Sequence, residues 1–595
     1  MKHLSVLLTI FIMITVVSCN SLNSASGSDH EKINGLFFNY YEARLKFYPI
    51  DATTNGDNRY NDLFLNTISQ SHRNELRKFY RGYLDSLLLF DRAAMEYNDQ
   101  ISFDVLKWEC EINLEGLKYH DELLPINQFW SLTLTMGQLG SGQGIQPFKT
   151  VKDYHDFLSR INGFSQWADT AVQNMRMGIL KGYVLPAVLA ERVIPQLSAM
   201  TIDDATSLIF YYPIQHFPTE FSGEEKSRLT EDYSRAIREK LIPSYQKLLD
   251  FFQKEYLPAS RSTAGIASVP DGTDYYNYLI KQSTTTEMTA DEIFELGNRE
   301  VARIREEMGK IKEQVGYKGD LKSFFEYLYK DQQFFPFKTP QEVLDGYEVI
   351  HTKEMPQVNK MFSLQPKTKF EVRQTEAFRS ASASAEYQQG SADGSRPGIF
   401  YAPILDATKY NATGMETLFL HEAIPGHHFQ ISLQQENESL PAFRKFIWFN
   451  AYGEGWALYS ESLGEELGLY TDPYQKFGNL SDEMHRAIRL VVDVGLHVKG
   501  WTREQAIQFS LDNEAIDYAG AAAEIERYMA IPGQALSYKI GQLKILELRA
   551  KAQKELGDQF SYPEFHEVML RNGCLPLAVL ESDFNNWLKE KKEKR

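Results

Sequence analysis

The chain has 595 residues, 43% of them hydrophobic and 24% charged, which excludes global disorder, a collagen-like repeat and a multi-span membrane protein. Its 63 basic and 80 acidic residues leave a net charge of −17, and so acidic a surface repels phosphate backbones and argues against nucleic-acid binding. Three cysteines cannot build a disulfide framework.

The chain opens with Lys2 and His3, then an apolar run from Leu4 to Val17, then Ser18-Cys19. A basic start, a short apolar core and small residues at the cut describe a secretory signal over residues 1–18. The run falls short of the roughly 20 apolar residues that a spanning helix needs. The cysteine directly after the small residue resembles the bacterial lipobox, which implies acylation of Cys19 at the mature N-terminus. Residues 19–30, rich in Ser, Asn and Gly, then read as a flexible tether. The expected location is the bacterial cell envelope, lipid-anchored, with the inner or outer membrane left open. Cys110 and Cys574 either pair in that oxidising compartment or are two buried thiols.

Further along, most of the chain reads as helix. Leu76, Phe79, Leu84, Leu87, Leu88 and Phe90 recur at helical intervals and predict a helix over 75–97. Residues 258–273 are rich in Ser, Gly, Ala and Pro, which predicts a loop and the main boundary, between an N-terminal lobe over 31–270 and a catalytic lobe over 271–595. Thr289 precedes an acidic first turn and an amphipathic run, predicting a capped helix over 290–312. Two strands are predicted, 368–374 by alternation and 398–404 as a short apolar run after Pro397. The fold expected is mainly α, a large two-lobed helical body with a small β-sheet beside the active-site helix.

The chemistry concentrates in His421-Glu422-Ala423-Ile424-Pro425-Gly426-His427-His428, in a chain with only 13 histidines. The simple zinc signature H-E-x-x-H puts two histidines one turn apart with a glutamate aimed at metal-bound water. Here His421 and His427 are six apart, nearly opposite on a straight helix. Pro425 cannot donate to the His421 carbonyl, and Gly426 tolerates positive φ. The insertion is therefore expected to loop out as a two-residue bulge and return His427 to His421. His428 would face correctly on a straight helix but about 10 Å along the axis, so His427 is the expected ligand and His428 the alternative.

A zinc hydrolase also needs a third protein ligand and an open position. Glu454, flanked by Gly453 and Gly455, is the expected ligand. Glu461, seven residues on, is its outer partner orienting a histidine. Glu422 is the expected general base. Arg489, Asp493 and His497 project from one helical face and predict either a cleft wall or a buried ion-pair network. His497 and Tyr538 are catalytic candidates, Tyr538 or Tyr528 as oxyanion donor, and Arg527 a carboxylate binder. The strand from Gly398, preceded by Arg396, is a candidate substrate-binding edge taking the peptide backbone. The metal expected from these ligand types is one Zn²⁺ per chain, though other divalent ions suit them too.

These residues resemble a bacterial family designated domain of unknown function 885. The resemblance rests on His421 to His428, on Glu454-Gly455-Trp456-Ala457, on DGSRPG from Asp393, on GLHVKGW from Gly495, on RYMAIPGQALSYKIG from Arg527 and on 285–299. It covers most of the mature chain, most densely from about 275 to 560. The family looks related to the gluzincin metallopeptidases, whose helical carboxypeptidases carry a long cleft between two lobes. The resemblance implies His421 and the second histidine as ligands, Glu422 as base and Glu454 as third ligand. The function expected is a zinc metallopeptidase, an exopeptidase of carboxypeptidase or dipeptidyl-peptidase type acting on short peptides. The alternatives are a zinc amidase on peptidoglycan peptides, or a lipoprotein that binds peptides or glycans without catalysis.

Overall fold

The computed structural model describes residues 28–202, 204–375, 384–391, 394 and 396–593. The signal, Cys19 and the tether to residue 27 lie outside the described residues, as do Asp393 and Ser395 of the turn before Arg396. The last residues of the range expected as tether are helical instead: Ser28 closes a capping box with Glu31 and starts helix α1 at Asp29 (Asp29–Phe47).

Helix α2 (Gln70–Leu87) begins before the predicted start, where the Ser69 hydroxyl accepts from the His72 N–H. It also stops earlier than predicted. Leu88 and Leu89 are exposed, and the Asp91 side chain captures the Ala93 N–H for a separate short turn, so the chain restarts as α3 (Tyr97–Gly116). Helix α4 (Val151–Lys181) ends where Gly182 takes φ 81°. The predicted loop is shorter than 258–273: a helical turn runs to Ala259 and the next helix starts at Gly272, and the stretch between is held by a bridge between Pro186 and Arg261, with one short turn at Ile266–Ser268. Helix α5 (Ala290–Gln314) starts on the predicted Thr289, in a capping box with Glu292.

After α6 (Pro340–Met361) comes the sheet: β1 (Phe370–Gln374), β2 (Glu386–Gln388) and β3 (Gly398–Ala402). The order is β1-β3-β2, with β3 parallel to β1 and antiparallel to β2. This corrects the expectation that the strand from Gly398 is an edge. All five β3 residues are buried, as an unbroken apolar run between two partners should be, and β2 takes the edge instead.

The helices that follow are α7 (Met415–Glu422), α8 (His427–Glu436), α9 (Asn450–Glu461), α10 (Pro473–His497), α11 (Tyr518–Ala530) and α12 (Ser537–Leu556). Two hydrophobic cores hold the body together. Each draws on both sides of residue 270: Phe37 packs in one core with Phe419 and Leu580, Phe164 in the other with Ile304 and Ile525. Burial therefore does not divide at the loop. Helix α10 ties the cores together, giving Leu490 and Val494 to one and Val491 and Val492 to the other, which is why its last turns are buried on every face. Cys110 and Cys574 are buried free thiols. Among the described residues, no helix is long and apolar enough to cross a membrane.

Candidate metal centre

The segment from His421 to His427 is a break between two helices, not a bulge within one. Helix α7 ends at Glu422 and α8 begins at His427. Gly426 sits at φ −75°, so positive φ is not the reason for glycine. The reason is steric: a Cβ there would lie 2.0 Å from the His421 carbonyl oxygen. The carbonyl of Pro425 accepts a 2.8 Å hydrogen bond from the indole of Trp456 on α9, which ties the break to the next helix.

This path brings His421 and His427 together, with ring centroids 4.8 Å apart and planes nearly perpendicular. Oε2 of Glu454 lies 3.7 Å from His421 Nε2 and 3.4 Å from His427 Nε2. One donor atom from each of the three falls within 4.8 Å of the others. Tetrahedral zinc, with bonds near 2.0–2.1 Å, separates its donors by roughly 3.3–3.4 Å. Two imidazole nitrogens and one carboxylate oxygen suit zinc in chemistry, and the Glu454 oxygen stands from both nitrogens at close to that spacing.

Helix α9 reaches this position because Gly455 packs against α12 with no room for a side chain. A Cβ on Gly455 would lie 2.5 Å from the Cα of Gly541. Burial disfavours the Glu454 charge, but hydrogen bonds from His421 and His427 outweigh it and hold the carboxyl well below its usual range. Glu461, one face of α9 further on, accepts from His421 Nδ1 at 2.7 Å. Thr417 donates to its other oxygen at 3.1 Å, and an Arg486 nitrogen lies 3.6 Å away. Burial draws the His421 imidazole down, while Glu454 and Glu461 draw it up further, to about 10.

His428 faces the sheet. Its Nδ1 is 3.0 Å from the Tyr387 hydroxyl of β2, its ring packs on Phe370 of β1, and burial lowers it to about 4. His427 Nδ1 is buried and bonds to no described residue. Glu422 is 7% exposed, and burial pushes its carboxyl above the usual range against the pull of His421 and His427. It shares a chamber of about 380 Å³ with the three donors, Tyr387, Trp448 and Tyr538. The Tyr538 ring is covered by the Arg489 guanidinium at 4.6 Å.

The other candidates lie elsewhere. His497 is fully buried: its Nδ1 accepts from the Ile266 N–H and its Nε2 donates to the Tyr528 carbonyl, both at 3.0 Å. Burial lowers it to about 3, so it is a neutral structural pin rather than a catalytic donor. Asp493 accepts from the Tyr276 hydroxyl and the Gly533 N–H. The Tyr528 hydroxyl donates to Glu524 at 2.7 Å and accepts from Arg489 at 3.0 Å. The face carrying Arg489, Asp493 and His497 is thus a buried network, and Tyr528 belongs to it instead of to the substrate. Arg527 lies over Phe129 at 4.8 Å, bonds to Gln534, and does not line the metal chamber. Arg396 donates to the carbonyl of Gln389, which does line it, so Arg396 acts on the wall from behind. Sequence reasoning missed Tyr387 and Trp448. Tyr387 sits in a three-residue strand with no alternation to read, and Trp448 precedes a helix with no motif around it.

Residues 49–583 match the model of the bacterial proteins of unknown function designated DUF885, so the chain belongs to that family. No curated protein matches it. It is similar to a crystal structure described as "the putative lipoprotein from Colwellia psychrerythraea", at 29% identity and TM-score 0.87, covering 94% of this chain and 99% of that one. It also shares its fold with "a putative lipoprotein of unknown function from Shewanella oneidensis", at 19% identity and TM-score 0.72, over 93% of this chain and 99% of that one. A likeness to metallocarboxypeptidase 1 of Trypanosoma cruzi, at 10% identity and TM-score 0.37 over 93% and 91% of the two chains, is too slight to carry an argument.

Proposed function

We propose that this protein is a zinc metallopeptidase of the bacterial envelope, an exopeptidase on short peptides, anchored by a lipid on Cys19. The observation that carries the reading is the position of Glu422 in the same chamber as His421, His427 and Glu454. A pure metal-binding or ligand-binding site has no use for a buried carboxyl of raised affinity for protons beside the donors. The two similar lipoproteins support the envelope location.

His421, His427 and Glu454 would hold one zinc, with Glu461 fixing the His421 tautomer so that Nε2 faces the metal. When bound, zinc supplies Lewis acidity that polarises a carbonyl and acidifies water. Glu422 then takes a proton and passes it to the leaving amine, a transfer suited to a carboxyl whose affinity for protons is raised. The Tyr538 hydroxyl donates to the oxygen where negative charge develops. The edge strand β2, whose Glu386 and Tyr387 line the chamber, offers the peptide backbone a partner.

The test is metal content by mass spectrometry, followed by digestion of a peptide library, for the native chain and for Glu422→Gln. One zinc in each, with cleavage only by the native chain, is the expected result. A native chain that holds zinc and cleaves no peptide would end the peptidase reading, and one that holds no zinc when offered it would end the metal site as well.

A further inference from the structure

A second chamber, of about 490 Å³, adjoins the metal chamber, and Trp448 lines both. Its wall comes from α3, from residues 279–283 and from the turn at 529–534. Three charged side chains line it: Glu109, Asp121 and Arg261. Both acids have arginine partners, Arg73 at 2.6 Å from Asp121 and Arg44 at 4.0 Å from Glu109, and burial shifts Glu109 toward its neutral form. Arg261 has no carboxylate within 4.0 Å among the described residues, and burial works against its charge while the Tyr256 phenol favours it.

Neutral oxygens hold Arg261 in place instead. Its Nε donates to the Val184 carbonyl at 2.9 Å, and its Nη1 donates to the Gly265 carbonyl at 2.8 Å and to the Ser268 hydroxyl at 3.0 Å. The backbone is fixed too: the Arg261 N–H donates to Leu185, and its carbonyl accepts from Ala187. Nη2 donates to no described residue. Burial lowers the guanidinium only to about 10, so it is a cation at neutral pH. A mostly buried, rigidly held cation without a counterion is costly, and the cost is relieved when a ligand supplies the negative charge. The planar fork of arginine suits a carboxylate. Amide side chains around the chamber, Asn113, Asn127, Gln282 and Gln534, suit the polar backbone of a peptide. Arg261 also borders a pocket of about 460 Å³ on its other side, but that pocket shares no lining residue with the metal chamber.

We propose that Arg261 binds a carboxylate of the substrate in the second chamber, which makes the protein selective for peptides that carry negative charge at a distance from the cleaved bond. The inference rests on the peptidase reading. Because Arg261 does not line the metal chamber, a carboxylate held there leaves room for intervening peptide between it and the metal.

The test measures binding apart from turnover. A pool of randomised tetra- to octapeptides is made once as free acids and once as C-terminal amides. Each pool is equilibrated with the full zinc-loaded chain carrying Glu422→Gln, and retained peptides are counted by mass spectrometry. Free acids should be retained about tenfold to a hundredfold better than neutral amides, the range for a hydrogen-bonded charge pair. Arg261→Gln should abolish that preference, and Arg261→Lys, which keeps the charge and the loop contacts better, should retain part of it. Retained amides enriched in Asp or Glu would place the carboxylate on a side chain, and their absence would place it at the C-terminus. Equal retention of acids and amides with no enrichment of Asp or Glu in either pool, or a preference unchanged in both Arg261 variants, would overturn the assignment and leave the peptidase reading standing. Failure of zinc-loaded protein to retain any peptide would overturn both.

Discussion

Oε1 of Glu461 lies 2.7 Å from Nδ1 of His421, on the side of the ring away from Glu454. That contact fixes which nitrogen carries the proton and turns Nε2 toward Glu454 and His427. The carboxylate is itself held by Thr417 and approached by Arg486, so the imidazole is positioned by a chain of three residues from three helices. No such chain supports His427, whose Nδ1 meets no described residue. The two histidines would therefore hold a metal with unequal rigidity.

Glu461→Gln tests this directly. Glutamine keeps the shape but loses the charge, so zinc affinity should fall about tenfold to a hundredfold, the usual effect of losing such a partner. At saturating zinc, activity should return to within a small factor of the native level. Competition of zinc between protein and a chelating dye measures the first quantity. Unchanged affinity would show that the contact does not tune the site.

The two adjacent histidines should behave in opposite ways. His427→Ala removes a donor 3.4 Å from Glu454 and should lose the metal. His428→Ala should keep about one zinc per chain and lose stability instead, because it removes a buried ring packed between Tyr387 and Phe370. Deleting such a ring costs on the order of 2–4 kcal/mol. Metal analysis and thermal melting of both variants separate the outcomes.

Much of this centre was legible because chemistry forced particular residues into one short stretch. His421, Glu422 and His427 stand out by type alone, and Pro425 announces that no continuous helix joins them. The nature of the interruption was not legible. Whether a chain bulges or breaks depends on what the next helix supplies, here the Trp456 indole on the Pro425 carbonyl. Glycine at 426 was attributed to φ, while contact with the His421 carbonyl decides it. Helix α5 followed from Thr289 and its apolar period, both local signals. The cores did not, because α10 serves two of them with adjacent residues, and nothing in a 3.6-residue period says how many partners a buried helix has. His497 misled for the same reason: its one-face alignment with Arg489 and Asp493 is real, but that face meets protein rather than solvent.

The buried Asp493 makes a pH dependence of stability predictable. Burial pushes its carboxyl up to about 7, against hydrogen bonds from Tyr276 and Gly533 that favour the charged form. An unfolded aspartate titrates near 3.9. A folded value above the unfolded one means that the native state binds the proton more tightly. Its contribution to stability is therefore complete below about pH 4 and is lost as pH rises to about 7. The loss is on the order of 2–4 kcal/mol. Asp493→Asn should remove this dependence, so the melting temperature of the native chain should fall relative to that of the variant from pH 5 to pH 8. A native chain that gains on the variant as pH rises would show that Asp493 is charged in the fold.

Tyr538 separates a donor to the developing oxyanion from an aromatic wall. Its ring lies under the Arg489 guanidinium, a contact of about 0.5–2 kcal/mol that does not use the hydroxyl. Tyr538→Phe keeps the ring, the stacking and the packing of α12 against α9. It should leave zinc content and melting temperature unchanged. If the hydroxyl stabilises charge only as the bond breaks, kcat should fall about a hundredfold to a thousandfold with KM nearly unmoved. Arg489→Met should lower kcat by a smaller factor, because it frees the ring without removing the hydroxyl, and it should also lower stability by breaking the contacts to Tyr528 and Glu524. A Phe variant with native kcat would make Tyr538 a wall residue and leave Glu422 as the one proton-handling group assigned to the chamber.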